Sequence, residues 1–226
     1  MNHPFATHFR RLHRSLHTLA ALAVLSLFTG CNPSGSPNAL SEVPPCCRPT
    51  PPSQPVSDRS IYQLESVWTS DAGKEIRLGH LQGRPQVVAL FFSQCEYACP
   101  ILVNDLQRIE SALSPAAREQ VDFLLVSIDP TRDTPTRLRE FRSEKHLGTN
   151  HWTLLTGRED DVRELAAILG VNYQRDARGQ YAHSNLITLL SSGGEILTQL
   201  KGLNQSTDDL VRLISDLPNT PSGSQP

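Results

Sequence analysis

The stretch "QVVALFFSQCEYACP", residues 86–100, decides the fold. It begins with an apolar run, residues 86–92, which is typical of a strand buried on both faces of a sheet. Two cysteines follow, Cys95 and Cys99, and Pro100 comes directly after the second. Because proline is favoured in the first turn of a helix, Cys99 is predicted to lie at or beside a helix N-terminus.

The residues after Pro100 carry the periodicity of a helix. Leucine and isoleucine recur at spacings of 4, 3 and 4, at Leu102, Leu106, Ile109 and Leu113. The two thiols are therefore expected at the positive end of a helix dipole, where thiolates are favoured. A strand followed by such a helix also brings the cysteines to the carboxyl end of a sheet strand, where open α/β sheets carry their sites.

The middle of the chain alternates in the same manner. The patterns predict, in order, an N-terminal hairpin turning at residues 71–73, a buried strand over 121–129, a helix opened by Pro135, a third strand from Trp152, a helix with Val162, Leu165, Ala166 and Leu169 inward, a hairpin around Gly193-Gly194, and a last helix capped by Ser206 or Thr207. This order predicts an α/β, thioredoxin-like fold with a central mixed sheet flanked by helices.

The N-terminus is typical of an export signal. Three arginines without an acid precede an apolar stretch of 13 residues, which is shorter than the ~20 residues of a membrane-spanning helix. Cys31 follows Thr29 and Gly30, as in a bacterial lipoprotein cleavage box. We therefore expect residues 1–30 to be a removed signal peptide and Cys31 to be lipidated, which would anchor an exported protein to a membrane on the periplasmic side. The alternative is a plain cleaved signal with Cys31 unmodified.

Composition divides the remaining chain into three parts. Residues 32–56 hold 8 of the 17 prolines, so residues 31–59 are predicted to be a flexible tether. Residues 60–217 form the expected folded domain, and residues 218–226 a disordered tail. The tether also contains the adjacent pair Cys46 and Cys47, which we interpret as an accessory thiol pair.

The charge balance argues against one class of partner. Removal of residues 1–30 lowers the number of Lys and Arg residues from 21 to 18 against 23 acids, for a net charge of −5. No basic stripe remains that would hold a nucleic acid. Proteins or a small cation are the expected partners.

Two thiols alone are compatible with a structural disulfide, a redox pair or a metal site. The usual redox motif has two residues between the cysteines, whereas three separate Cys95 from Cys99. Thioredoxin-like redox enzymes also place a cis-proline opposite the cysteines, but this chain has no proline between Arg158 and Leu217. His183 stands there instead, just before the apolar run "LITLL". Two thiolates and one imidazole suit copper, and zinc less well because a fourth ligand is missing.

Three motifs in order resemble the Sco/SenC family of copper-binding, thioredoxin-fold proteins. They are "CEYACP" at 95–100, "VSIDPTRDTP" at 126–135 and "HS" at 183–184, and Cys95 and His183 are 88 residues apart. The resemblance implies that Cys95, Cys99 and His183 are the metal ligands and that copper is the metal. It further implies a protein that receives copper from a donor protein and delivers it to an exported copper enzyme, above all the binuclear copper site of cytochrome c oxidase.

The chain departs from the family pattern at two places. Ala182 stands where family members usually carry an aspartate, and a carboxylate there would fix the tautomer of the histidine. "ACPILVNDL" also differs from the commoner "VCPTTL" form, as in a divergent branch with another client. Glu96 is a candidate for a carboxylate that lies near the ligands without binding the metal itself.

Other polar residues invite weaker interpretations. Asp129 and Asp133 are expected in a rigid loop that caps the next helix, with Asp133 as a possible outer partner of the metal site. Three further histidines are interpreted as surface residues, namely His80, His146 and His151.

Two other functions remain open beside the copper chaperone. A thiol–disulfide reductase would use Cys95 and Cys99 as catalytic residues to keep client cysteines ready for metal, with His183 tuning their reactivity. A thioredoxin-like peroxidase is less favoured, because no arginine or threonine flanks the motif on its N-terminal side.

Overall fold

The structure is a computed structural model, and it describes residues 56–177 and 179–217. The signal peptide, Cys31, the cysteine pair of the tether and the C-terminal tail are sequence predictions that lie outside the described residues. No helix among the described residues is long and apolar enough to cross a membrane.

Nine strands are described, and they form two sheets. In chain order they are β1 (Val67–Ser70), β2 (Glu75–Arg77), β3 (Gln86–Phe91), β4 (Asp122–Ser127), β5 (Trp152–Thr156), β6 (Tyr173–Arg175), β7 (Tyr181–His183), β8 (Leu186–Leu190) and β9 (Ile196–Lys201). Seven strands make the main sheet in the order β2-β1-β5-β4-β3-β8-β9, while β6 and β7 pair only with each other. The main sheet is mixed, since β3, β4 and β5 run parallel and the remaining pairs are antiparallel.

The described residues include five α-helices beside the sheet. They are α1 (Ala98–Ala112), α2 (Pro115–Arg118), α3 (Pro135–Glu144), α4 (Glu159–Ile168) and α5 (Asp208–Asp216). Short 3-10 turns at Ile61–Gln63 and Leu78–Leu81 complete the described elements. The predicted thioredoxin-like arrangement, including the N-terminal hairpin of β1 and β2, is confirmed.

The core lies around the middle strands of the main sheet. All six residues of β3 are buried, as are five of the six in β4, because both strands have covered faces. The predicted stripe on α1 is buried too, with Leu102, Leu106 and Ile109 inaccessible to solvent. The apolar spacing read from the sequence therefore identifies the packed face of this helix.

Two helix starts agree with the predictions, and the structure adds detail to each. Helix α1 begins at Ala98 with Tyr97 as its N-cap, so Cys99 lies inside the first turn. Thr207 is the N-cap residue of α5, but the side-chain oxygen that accepts from the backbone of that turn belongs to Ser206, 3.4 Å from the amide nitrogen of Asp208. Pro135 does open α3, and the Thr134 side chain caps it.

The pairing of β8 with β3 determines where the site lies. The strands are antiparallel, with Ala89 opposite Ile187 and Gln86 opposite Leu190. The start of β8 therefore lies beside the end of β3. Residues that follow β3 and residues that precede β8 meet at one edge of the sheet.

The turn between β8 and β9 gives a test of this packing. Gly194 has φ +81°, and a methyl group there would lie 2.5 Å from Ser60 Oγ and 2.6 Å from Tyr62 Cδ2. We expect Gly194→Ala to lower the free energy of unfolding by about 2–4 kcal/mol, from backbone strain and overpacking together. Denaturant unfolding of the purified protein measures this change.

Gly73→Ala is the matched control. Gly73 has φ +78° but nothing lies within 4 Å of the added carbon, so only the backbone cost of about 1–2 kcal/mol applies. Equal losses in the two variants would contradict the packing of this turn against residues 60–62.

Candidate metal centre

Three potential metal ligands meet at the edge of the sheet where β3 ends. Cys95 lies in the loop after β3, Cys99 in the first turn of α1, and His183 is the last residue of β7. Their two sulfur atoms and one imidazole nitrogen lie within 4.8 Å of one another. Cys99 is buried, whereas Cys95 and His183 are partly exposed, so the site has one buried side and one open side.

Backbone N–H groups stabilise negative charge on the two sulfurs. The Cys99 N–H donates to Cys95 Sγ at 3.2 Å, and the Phe92 N–H donates to Cys99 Sγ at 3.5 Å. The first of these donors belongs to the unsatisfied first turn of α1, where the helix dipole also favours an anion. Both cysteines are free thiols.

The two thiols titrate in opposite directions. A hydrogen bond from the Cys99 side chain lowers the pKa of Cys95 to about 3, and backbone N–H groups act in the same direction. The bond to Cys95, together with burial, raises the pKa of Cys99 above the ordinary range of a thiol. At neutral pH the pair therefore holds one proton, on Cys99, and one thiolate, on Cys95.

A backbone carbonyl orients the imidazole of His183. His183 Nδ1 lies 3.1 Å from the Ser184 carbonyl oxygen, which can only accept, so we assign the ring proton to Nδ1. The lone pair of Nε2 then faces Cys99 Sγ, 3.6 Å away. The carbonyl thus takes the place of the carboxylate that Ala182 cannot supply, and Ala182 itself is exposed.

The distance between Cys99 Sγ and His183 Nε2 matches that of a three-coordinate metal site. Bonds of about 2.0–2.3 Å to three ligands at 120° separate the ligand atoms by about 3.5–4.0 Å. The 3.6 Å between Cys99 Sγ and His183 Nε2 falls in this range. Two thiolates and an imidazole are soft and borderline donors, which is the set that Cu(I) prefers.

The loop that carries Cys95 is held by a buried carboxylate. Asp133, fully buried, accepts from the Ser93 N–H at 3.0 Å, from Ser93 Oγ at 2.5 Å and from Ser127 Oγ at 2.5 Å. Burial raises the pKa of Asp133. Asp133 therefore joins the loop after β3 to the end of β4. It acts on the thiols only indirectly, by holding the loop that carries Cys95. Asp129 pairs with Arg132.

The other candidates of the sequence analysis do not belong to this group. Glu96 follows Cys95 in the same loop and is exposed, as are His80 and His146. His151, predicted to be a surface residue, is instead largely buried and lies 3.4 Å from Glu119 and 3.3 Å from Asp122. Among residues 56–177 and 179–217, the group of Cys95, Cys99 and His183 is the only set of three potential ligands. The loop of Asp129 and Asp133 precedes α3 as expected, but Thr134 provides its cap.

Sequence reasoning missed the surroundings of the histidine. The aromatic ring of Phe92 lies 6.0 Å from the His183 ring and 5.4 Å from the Tyr181 ring, with edge-on geometry in both pairs. Tyr181 belongs to the ribbon of β6 and β7, which the apolar pattern did not indicate because strands of three residues carry too little periodicity. The position of Tyr181 two residues before His183 was the available signal.

Known proteins are similar to this chain in sequence and in fold. A protein of Stutzerimonas stutzeri whose name refers to copper binding is 29% identical over 143 residues, which cover 62% of this chain and 68% of that protein. A SCO1/SenC family lipoprotein from Bacillus anthracis has a TM-score of 0.60 at 25% identity, covering 67% of this chain and 92% of the other. Arabidopsis thaliana ScoI, solved with copper bound, has a TM-score of 0.57 at 21% identity, covering 66% and 93%.

The sequence model of one family matches the whole described domain. The match to SCO1/SenC extends over residues 59–217 and includes all three of the converging side chains. The domain fold, the CxxxCP loop and the histidine before β8 agree with that match. The chain belongs to the SCO1/SenC family.

Proposed function

We propose that this protein is a copper chaperone in which Cys95, Cys99 and His183 hold Cu(I). The observation that carries the proposal is the convergence of two sulfurs and one Nε2 atom within 4.8 Å at a partly open site. Copper is the cargo of such a protein and not a resident cofactor. Copper-bound relatives in the family and the softness of the donor set support this choice of metal.

The recipient is proposed to be an exported copper enzyme. The Sco family is a family of cytochrome c oxidase assembly proteins, so we infer that the binuclear copper site of that oxidase is the client. The open side of the site supports direct transfer, because a client thiolate can approach the metal past the partly exposed Cys95. A donor protein would load copper through the same open side of the site.

Anchoring belongs to the same proposal. A lipid on Cys31 and a Pro-rich tether over residues 31–59 would hold the domain near a membrane-bound client on the periplasmic side. The similar Bacillus anthracis protein, which is a lipoprotein, supports this arrangement. Loss of the three arginines in residues 1–30 would make the exported protein more acidic than the full chain.

The reductase alternative is supported by the unequal thiols. In that reaction the Cys95 thiolate attacks a client disulfide and forms a mixed disulfide, releasing one client thiolate. Cys99 then passes its proton to the released client thiolate and attacks the Cys95 sulfur, which displaces the second client thiolate; two electrons thus pass to the client, and Cys95 and Cys99 become a disulfide. An exported dithiol reductant would restore the starting state.

The ligand set is tested by copper titration. We expect the reduced protein to bind one Cu(I), Cys95→Ser or Cys99→Ser to abolish binding, and His183→Ala to weaken it by more than about 100-fold, since even outer partners of a metal are worth about 10–100-fold. Competition with a Cu(I) chelator without oxygen measures these affinities. His80→Ala, at an exposed histidine, is the control and should bind as the unaltered protein does; an equal loss in that variant would contradict the assignment.

Delivery is tested by transfer to a client. Copper-loaded protein is mixed with the copper-free soluble domain that carries the oxidase's binuclear site, and the client's absorption reports its filling. We expect transfer to be faster than from a chelator of the same Cu(I) affinity, because ligand exchange passes through a direct complex. Transfer no faster than from the chelator would exclude the chaperone role while leaving copper binding intact.

The reductase alternative makes a different prediction for His183→Ala. Because the two thiols alone carry the electrons, this variant should cycle between dithiol and disulfide with a reduction potential changed by less than about 30 mV, a tenfold change in equilibrium constant. Equilibration with glutathione followed by thiol alkylation measures the potential. A variant that binds no copper yet reduces a client disulfide at the original rate would favour the reductase; loss of both activities would contradict it.

A further inference from the structure

The ribbon that carries His183 has little support of its own. Strands β6 and β7 pair with each other and with no other described strand. A two-stranded ribbon by itself is at best marginally stable in water. The position of His183 Nε2 over Cys99 therefore depends on contacts that hold this ribbon against the rest of the domain.

Arg132 provides such contacts with the two terminal nitrogen atoms of its guanidinium group. The Nη2 atom donates to the Gly179 carbonyl oxygen at 2.7 Å, at the end of the ribbon remote from β8. The Nη1 atom donates to Gln94 Oε1 at 3.1 Å, in the loop that carries Cys95. Arg132 thus joins the cysteine loop to the histidine ribbon.

The third nitrogen of the group, Nε, holds the guanidinium itself in place. This nitrogen pairs with the carboxylate of Asp129, whose side chain is almost completely buried. Asp129 lies two residues beyond the end of β4. The other carboxylate oxygen of Asp129, Oδ1, has no hydrogen-bond partner among the described residues. The buried pair with Asp129 therefore fixes the Nε end of the guanidinium group, from which Arg132 reaches the cysteine loop and the histidine ribbon.

An aromatic contact continues the connection to the ligands. The guanidinium carbon lies 5.9 Å from the centre of the Tyr181 ring, within the range of a cation–π contact. Tyr181 packs edge-on against Phe92 at 5.4 Å, and Phe92 contacts His183 and donates its N–H to Cys99 Sγ. The path from Arg132 to the imidazole passes through packed groups only.

We propose that Arg132 is a positioning residue that sets the distance between the His183 imidazole and the two sulfurs. It touches neither the metal nor the ligand atoms, and it acts through Gly179, Tyr181 and Gln94. The inference rests on the proposed copper site. Arginine is required because its planar guanidinium group donates to Asp129, Gln94 and Gly179 at the same time, which the single ammonium group of lysine cannot do.

The test compares Arg132→Lys in two backgrounds. Lysine keeps a positive charge beside Asp129 and so preserves the buried pair, but it cannot also reach Gln94 and Gly179. In the otherwise unaltered protein we expect Cu(I) affinity to fall about tenfold, as for other outer partners of a metal. In the His183→Ala background we expect no further loss, because the group that Arg132 positions is gone.

Two controls separate positioning from general damage. Arg212→Lys alters another arginine that pairs with an aspartate three residues earlier, on the exposed side of α5, and should leave Cu(I) affinity unchanged. Gln94→Ala removes only the exposed link to the cysteine loop and should weaken binding in the same direction by a smaller factor. An equal effect of Arg132→Lys in both backgrounds, or an unchanged affinity in both Arg132→Lys and Gln94→Ala, would overturn the proposal.

Hydrogen exchange gives a readout that needs no metal. In the copper-free protein, Arg132→Lys should accelerate exchange of amides in residues 173–183 more than tenfold, with exchange in α5 unchanged. Unchanged exchange of the ribbon would overturn the proposal even if copper affinity fell. Conversely, if the unaltered protein and His183→Ala bound copper equally, the ligand assignment would fail while the exchange data would still decide whether Arg132 holds the ribbon.

Discussion

The antiparallel pairing of β3 with β8 is the constraint on which the site depends. It places the start of β8 beside the end of β3, so that segments far apart in sequence approach at one edge of the sheet. The first segment leads into α1 and supplies two sulfurs, while the second supplies the imidazole. Because both strands are completely buried, a shift of register would force closely packed side chains on both faces of the sheet out of their places, so the packing of the core fixes the geometry of the site.

The three proposed ligands are held with unequal rigidity. Cys99 is fixed by the first turn of a helix of 15 residues whose inner face is buried. His183 belongs to a short ribbon outside the main sheet, fastened through Arg132 and the Phe92–Tyr181 contact. The proposed copper chaperone would have to retain its metal in transit and yield it to a client. A firmly held sulfur and a more lightly held imidazole would meet both needs, since the imidazole could leave first.

Much of this architecture could be predicted from the sequence, because long buried elements carry strong periodic signals. The strand at 86–92, the stripe from Leu102 to Leu113 and the position of His183 before β8 all follow from such patterns. The short ribbon could not be predicted, since strands of three residues fix no period. Nor could the bond from His183 Nδ1 to the Ser184 carbonyl, which uses a backbone group that every residue has. The absence of a carboxylate at Ala182 suggested an unsupported imidazole, and only the folded backbone reveals its replacement.

The electrostatics of the thiol pair suit exchange of a proton for Cu(I). In the copper-free protein the pair carries one negative charge, because Cys95 has lost its proton while buried Cys99 keeps its own. Binding of Cu(I) would remove that proton and add one positive charge, so the net charge of the pair and its metal stays at minus one. A buried sulfur tolerates such an exchange better than any change that leaves an additional uncompensated charge, since charge burial is costly. Because its pKa is raised, Cys99 Sγ carries a proton in the copper-free protein, and Cu(I) would replace that proton.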